Sequence, residues 1–198
     1  MKGDRIMTAV DVIVPACRPR FWQKLVVDRL QAAGHDVAVR LERASPWPAP
    51  AVHLLQMERR LFRRDGPGLA TPVEFIPEVE RSRGPNLRLD LSGRAPPSSV
   101  PTVRLAFDGE NSDFAVAAAV ANGRVPDILA VLDDGTVVGE AAPMADKRES
   151  TALSAEDVLA RAVTLAVSVV GRFPQGWAGR TGRHPVAGRT GAGRFLAA

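Results

Sequence analysis

At 198 residues, with 45% hydrophobic and 24% charged residues, the chain has the length and make-up of one ordinary soluble-type domain with a real core. The formal charge of +4 resides at the end of the chain: residues 173–198 hold Arg180, Arg183, Arg189 and Arg194 and no acid, so the remainder is balanced and offers no polyanion-binding body. The single cysteine, Cys17, excludes an intrachain disulfide and a thiolate zinc site, and no apolar run approaches the roughly 20 residues of a membrane span.

Residues 1–7 lack the apolar region of a signal peptide, so a cytoplasmic setting is expected; Met7 offers an alternative start. The β-branched run 9–14, closed by Pro15, predicts a buried strand. Phe21, Leu25, Val26 and Leu30 follow helical spacing, and Gly34 is a stop signal. Val37, Val39 and Leu41 alternate as a second strand. Strand, helix, strand is a βαβ unit with parallel pairing.

A Pro-rich connector, 45–50, leads to a helix over 52–62. Arg59, Arg60, Arg63 and Arg64 crowd its end. Cations there complement the helix dipole; contact with phosphate or a membrane surface is the alternative role. A turn at 65–68 and a short strand at 73–76 follow. The next run, Leu87-Arg88-Leu89-Asp90-Leu91-Ser92-Gly93, is the most informative one. Three leucines alternate with polar residues, so the spacing predicts a strand that delivers Asp90 and Ser92 to a carboxyl edge, where open α/β sheets bind ligands. Residues 103–107 form another strand. Ser112 is the expected N-cap of a helix over 113–121. The runs 127–132 and 136–141 flank Asp133-Asp134-Gly135 and predict an antiparallel hairpin. Ser154 and Asp157 suggest a capping box opening the last helix, whose apolar face carries Val158, Leu159, Ala162, Val163, Leu165, Ala166 and Val169. These elements amount to a three-layer α/β domain over residues 8–172. Its sheet is Rossmann-like and mostly parallel with a late antiparallel hairpin, and a flexible Gly/Arg-rich tail follows from 173.

The candidate chemistry is sparse. No G-x-G-x-x-G follows the first strand and no Walker A run occurs. The turn from Pro15 to Arg20 has no glycine; a single anion held at the helix N-terminus by Arg18 or Arg20 is the binding role it retains. His35, His53 and His184 leave residues 54–183 without histidine, so no Ser-His-Asp or Cys-His set is placed near the late strand ends. Cys17 is expected to be a small buried side chain. Asp133 and Asp134 are accounted for by the hairpin, while Asp108 and Glu110 suit a loop before a helix, where acids offset the dipole. Asp90 is the odd acid: if buried, it needs Arg88, Arg104 or backbone donors. Asp90, Ser92, Asp108 and Glu110 are the ligand-binding candidates. No residue is assigned to catalysis or to a metal.

The run Leu89-Asp90-Leu91-Ser92-Gly93, the later Val103-Arg104-Leu105-Ala106-Phe107-Asp108-Gly109 and the order of elements resemble the amino-terminal domain of bacterial formyltransferase-like proteins. That group includes relatives of glucosamine inositolphosphorylceramide transferase. The resemblance covers roughly residues 8–172; the hairpin, residues 140–144 and the helix from Ser154 fit the later part of a formyltransferase domain. Active formyltransferases move a one-carbon unit from a formyl-folate to an amine using an Asn, a His and an Asp, the His lying in a His-Pro-Ser-Leu-Leu-Pro type loop. Here the matching loop, 92–99, has no His, Asn86 precedes its strand, and His184-Pro185 falls in the tail. No catalytic residue carries over. The resemblance thus implies a degenerate module that binds a small molecule or protein partner, in the setting of glycan or lipid modification, without a cofactor. Two alternatives stand beside it. One is an active transferase using formyl-folate, or another donor, around Asp90, Ser92, Asp108 and Glu110. The other is polyanion binding through the tail.

Overall fold

The fold is given by a computed structural model describing residues 7–43, 49–61, 67–73, 84–142 and 150–173. In chain order the elements are β1 (Ala9–Pro15), α1 (Phe21–Ala32), β2 (Asp36–Glu42), α2 (Ala49–Leu61), β3 (Leu87–Asp90), β4 (Thr102–Phe107), α3 (Phe114–Ala121), β5 (Ile128–Leu132), β6 (Val137–Ala141) and α4 (Thr151–Arg172). They build one six-stranded sheet in the order β2-β1-β3-β4-β5-β6. The first four strands in that order are parallel; β5 is antiparallel to both β4 and β6. This is the mostly parallel α/β sheet with a late antiparallel hairpin that the sequence leads one to expect.

Register explains the alternation in sequence. Val10 and Val12 lie opposite Val37 and Val39 on one side and Leu87 and Leu89 on the other, and Leu89 lies opposite Val103. Strand side chains alternate between faces, so these residues share one face. The helices cover that face: α4 crosses it, flanked by α1 and α3, and a Cβ on Gly139 of β6 would meet Leu165 and Val169 of α4. Val158, Leu159, Ala162, Val163, Ala166 and Val169 of α4 are fully buried, as their helical spacing predicts. Asp11, Ile13, Arg88, Asp90, Thr102 and Arg104 point to the opposite face. Over β3 and β4 that face is covered by the irregular connection 91–101. Its Pro96 and Ala95 carbonyls accept from Arg88 Nη1 (3.2 Å) and Arg104 Nη2 (3.4 Å). The parallel β3–β4 crossover is therefore coil, and it forms the layer opposite the helices.

Several boundaries differ from the sequence expectation. α4 starts one turn early: Ser150, not Ser154, is the N-cap, its Oγ accepting the Leu153 N–H at 3.2 Å. The Ala152 N–H donates to Glu58 of α2 at 2.7 Å. These two acceptors satisfy first-turn donors, and Ser154 is buried inside the helix. α2 begins at Ala49, ahead of the expected Val52, because Pro50 is tolerated in a first helical turn. Asp113 takes the cap position of α3, but Ser112 Oγ still accepts the Phe114 N–H at 3.3 Å. Of the strand expected at 73–76, residues 74–76 lie outside the described residues, as do Arg63, Arg64 and the tail after Phe173. In the β5–β6 hairpin, Asp134 accepts the Thr136 N–H at 2.8 Å, and that bond holds its carboxyl below the usual range. Among the described residues no helix is long and apolar enough to cross a membrane.

The core is sensitive to volume. Leu89 is fully buried at the centre of the sheet. Leu89→Ala should lower the unfolding free energy by about 2–5 kcal/mol in urea titrations, whereas the exposed Leu54→Ala should change it by less than about 0.5 kcal/mol.

His35 makes stability pH-dependent. It follows Gly34, whose φ of +87° ends α1, and its Nδ1 is buried with no hydrogen-bond partner among the described residues. Burial pushes its pKa down, so the folded chain binds this proton less readily than the unfolded chain. Stability should be level above about pH 7 and fall as pH drops below the ordinary His value of about 6.5. Urea midpoints measured across that range should decline towards acid, and His35→Gln should flatten the His-dependent part of the decline.

Candidate functional site

Strand order reverses between β1 and β3, since β2 lies on the far side of β1. In an open α/β sheet the ligand crevice opens at such a point, outside the carboxyl ends of the strands. Three segments converge there: the 15–20 turn, the 91–95 turn and the 107–113 loop.

Asp90 closes β3 and is 1% exposed. Oδ1 accepts from the Ser92 N–H (2.9 Å), the Ser92 hydroxyl (2.7 Å) and the Gly93 N–H (3.0 Å). Oδ2 accepts from the Ala95 N–H (3.0 Å) and Arg104 Nε (3.1 Å). The partners of this buried acid are thus Arg104, its register neighbour on β4, and the backbone of its own turn. Arg104 continues through Nη1 to Asp133 at 2.5 Å. Ser92 Oγ also accepts the Arg94 N–H at 3.1 Å. Asp90 and Ser92 are therefore brought together, and each is engaged by the turn it builds. Gly93 has φ +69°, and a Cβ there would lie 1.7 Å from the Asn111 carbonyl oxygen. Only glycine lets the 91–95 turn seat against the 107–113 loop.

That loop begins with a two-residue reversal. Phe107 and Glu110 exchange both backbone hydrogen bonds (2.8 and 3.0 Å), with Asp108 at φ +50° and Gly109 at φ +83°. Both central residues are left-handed, as a type I′ turn requires. Asp108 accepts the Asp127 N–H at 2.9 Å and Arg124 Nη1 at 3.0 Å. It therefore ties down the α3–β5 connection, and the dipole role expected for it is not what its bonds serve. Glu110 is exposed on the same turn.

The N-terminus of α1 plugs the crevice. Gln23 is fully buried; its Oε1 accepts the Arg20 N–H at 2.8 Å and its Nε2 donates to the Leu91 carbonyl at 3.1 Å. Trp22 Nε1 donates to Asp113 at 2.9 Å, and its ring meets Phe107 edge-on at 6.4 Å. Arg20, 4% exposed, lies 3.6 Å from the same Asp113 oxygen and donates to the Ala70 carbonyl at 2.8 Å. Burial pushes the Arg20 guanidinium down to about 10, Asp113 opposes the shift and Arg18 adds to it, so the group stays cationic at neutral pH. The first N–H groups of α1 donate to protein carbonyls, Phe21 to Thr71 (2.9 Å) and Trp22 to Leu69 (3.0 Å). The donors that an anion at this helix end would use are thus taken up. Arg18 stands exposed outside the plug at φ +54°. Cys17, expected to be buried, is exposed, because the 16–18 bend runs beyond the sheet edge.

Asp113, Gln23 and Trp22 were not legible as site residues. Gln23 alone had a signal, the position of a helix N3 glutamine, masked by an arginine at the cap. Among the described residues no group of three or more His, Cys, Asp or Glu side chains is arranged to hold a metal ion. No family model, no curated protein and no solved structure matches the chain.

Removing the Asp90 carboxylate strands three backbone N–H groups in a buried setting and takes from Arg104 one of its two carboxylate partners. Asp90→Ala should therefore cost about 3–5 kcal/mol of unfolding free energy by urea titration, and a midpoint equal to wild type would show that the turn does not rest on it.

Proposed function

We propose that the chain is a formyltransferase-like α/β module that has given up formyl-transfer chemistry and acts by binding a small molecule or a protein partner in glycan or lipid modification within the cytoplasm. The supporting observation is the saturation of Asp90. A general base needs a free lone pair within reach of the proton it takes. Here both carboxylate oxygens already serve five donors, and the loop after β3 supplies no histidine. Ser92 is engaged as donor and acceptor, which argues against its use as a nucleophile. The rim of the crevice presents exposed Arg18 and Arg94, which suits an anionic ligand held from outside rather than one enclosed in the sheet edge.

The purified chain, incubated with a formyl-folate and an amino sugar, should yield no formylated product above the uncatalysed rate. A thermal-unfolding screen of anionic metabolites should in turn yield a compound with a saturable rise in Tm. Formyl turnover that a folded Asp90→Asn chain lacks would falsify this reading.

A further inference from the structure

We propose that Asn122-Gly123 is a modification site, where a spontaneous deamidation is held in check by the cap of α3 and proceeds when the last turn of that helix opens. The chain has three asparagines, Asn86, Asn111 and Asn122, followed by Leu, Ser and Gly respectively. Deamidation begins when the backbone nitrogen of the next residue attacks the asparagine side-chain carbon. A following glycine puts no side chain in that path and leaves the backbone freest to bend, so Asn122 has the most reactive sequence setting of the three. Asn122, Gly123 and Arg124 are all exposed, and a Cβ on Gly123 would meet nothing within 4 Å. Water therefore reaches this bond, and no packed side chain guards it. Hydrogen bonds do. The Gly123 N–H donates to the Val120 carbonyl and the Arg124 N–H to the Ala119 carbonyl, each at 3.0 Å, with Gly123 at φ +65°. This is a Schellman cap, and it commits the attacking nitrogen to a carbonyl. Asn122 Nδ2 donates to the Ala118 carbonyl at 2.8 Å, which draws the leaving group back along the helix. With Asn122 at ψ 16°, the Gly123 nitrogen is turned away from the side-chain carbon, and the rotation that closes a ring breaks these bonds. The folded-state rate is then the rate of the open segment multiplied by the fraction of chains in which the helix end is frayed.

Once the end opens, hydroxide removes the Gly123 amide proton and the nitrogen attacks Asn122 Cγ. The N–Cγ bond forms, the Cγ–Nδ2 bond breaks, and Nδ2 leaves as ammonia after taking a proton from water. Water then adds to either carbonyl of the resulting succinimide and breaks its bond to nitrogen. The products are aspartate, or isoaspartate with the main chain rerouted through the side chain; nothing is oxidised or reduced. Either product places a carboxylate at the C-terminal end of α3, against the helix dipole, and removes the donor to Ala118. The new charge stands two residues before Arg124, whose Nη1 donates to Asp108 at 3.0 Å. The modification therefore loosens the cap and competes for the cation that ties α3 to the 107–113 loop. It does not depend on what the crevice binds.

The test ages the full chain in mildly alkaline buffer, with and without urea, and follows the tryptic peptide 105–124, which holds both Asn111 and Asn122. Fragment ions assign the mass gain of about 1 Da to one asparagine or the other. Conversion at Asn122 is expected in urea and should be at least about tenfold slower in the folded chain. Ala121→Gly weakens the last turn at an exposed position; it should raise the folded-state rate about two- to fivefold and leave the rate in urea unchanged. Asn122→Asp, the direct product, should melt below wild type. Equal rates at Asn122 with and without urea would overturn the proposal, because the cap would then protect nothing. A folded-state rate that Ala121→Gly leaves alone and the core variant Leu89→Ala raises would overturn it too, since the bond would then open only with the whole fold.

Discussion

The arrangement of this sheet depends on one buried carboxylate. Asp90 sits on a central strand, and an ion taken out of water there is costly unless every lone pair is used. Its five donors meet that demand, and in doing so they fix the path of the chain beyond β3. The bonded turn places Gly93 against the Asn111 carbonyl, which orders the loop carrying Asp113. Asp113 in turn receives Trp22 and stands beside Arg20, locking the first turn of α1 over the carboxyl ends of β1 and β3. A single desolvated charge thus propagates through backbone geometry to the place where this class of sheet holds its ligands.

The two faces of the sheet are stabilised by different physics. The helix side is a continuous aliphatic layer from Val10 to Ile128, closed by α1, α3 and α4. The other side carries charge pairs along the strands: Arg40 with Asp11 at 3.0 Å, and Arg104 shared between Asp90 and Asp133. Such pairs add little net stability over an apolar replacement of equal shape, but they are intolerant of a misplaced partner. They specify neighbour and register, which a layer of valines and leucines does not. The coil between β3 and β4 is compatible with this face because its carbonyls answer the arginines that a helix would leave unsatisfied.

Much of this fold was legible in the sequence because its signals are local. The β-branched run before Pro15, the leucine alternation at 87–91, Asp-Gly between apolar runs and the wide face of the last helix each depend on periodicity within a few residues. The start of α4 is ambiguous in sequence because Ser150 and Ser154 both offer a cap; Ser150 serves its own first turn, and Glu58, which joins it there, comes from α2, far away in sequence. For Asp90 the need for a partner could be stated in advance and Arg104 named among the options. Backbone donors were also among those options; that three N–H groups of one turn would serve together with Arg104 could not be read. Asp113 carried no signal, since an acid before a short helix ordinarily serves its own cap, and here the side chain turns to Trp22 instead.

The position of β1 has a consequence for how the chain is made. Of the six strands of this sheet it is the first to leave the ribosome, yet it lies inside the sheet, paired with β2 on one edge and β3 on the other. Its second edge stays without hydrogen-bond partners until Leu87–Asp90 has been synthesised, so the nascent chain carries an apolar, half-paired strand through much of its translation. The β5–β6 hairpin, by contrast, closes on itself over a few residues and is quick to form. The last-made part of the sheet is thus ready at once, and the first-made part must wait.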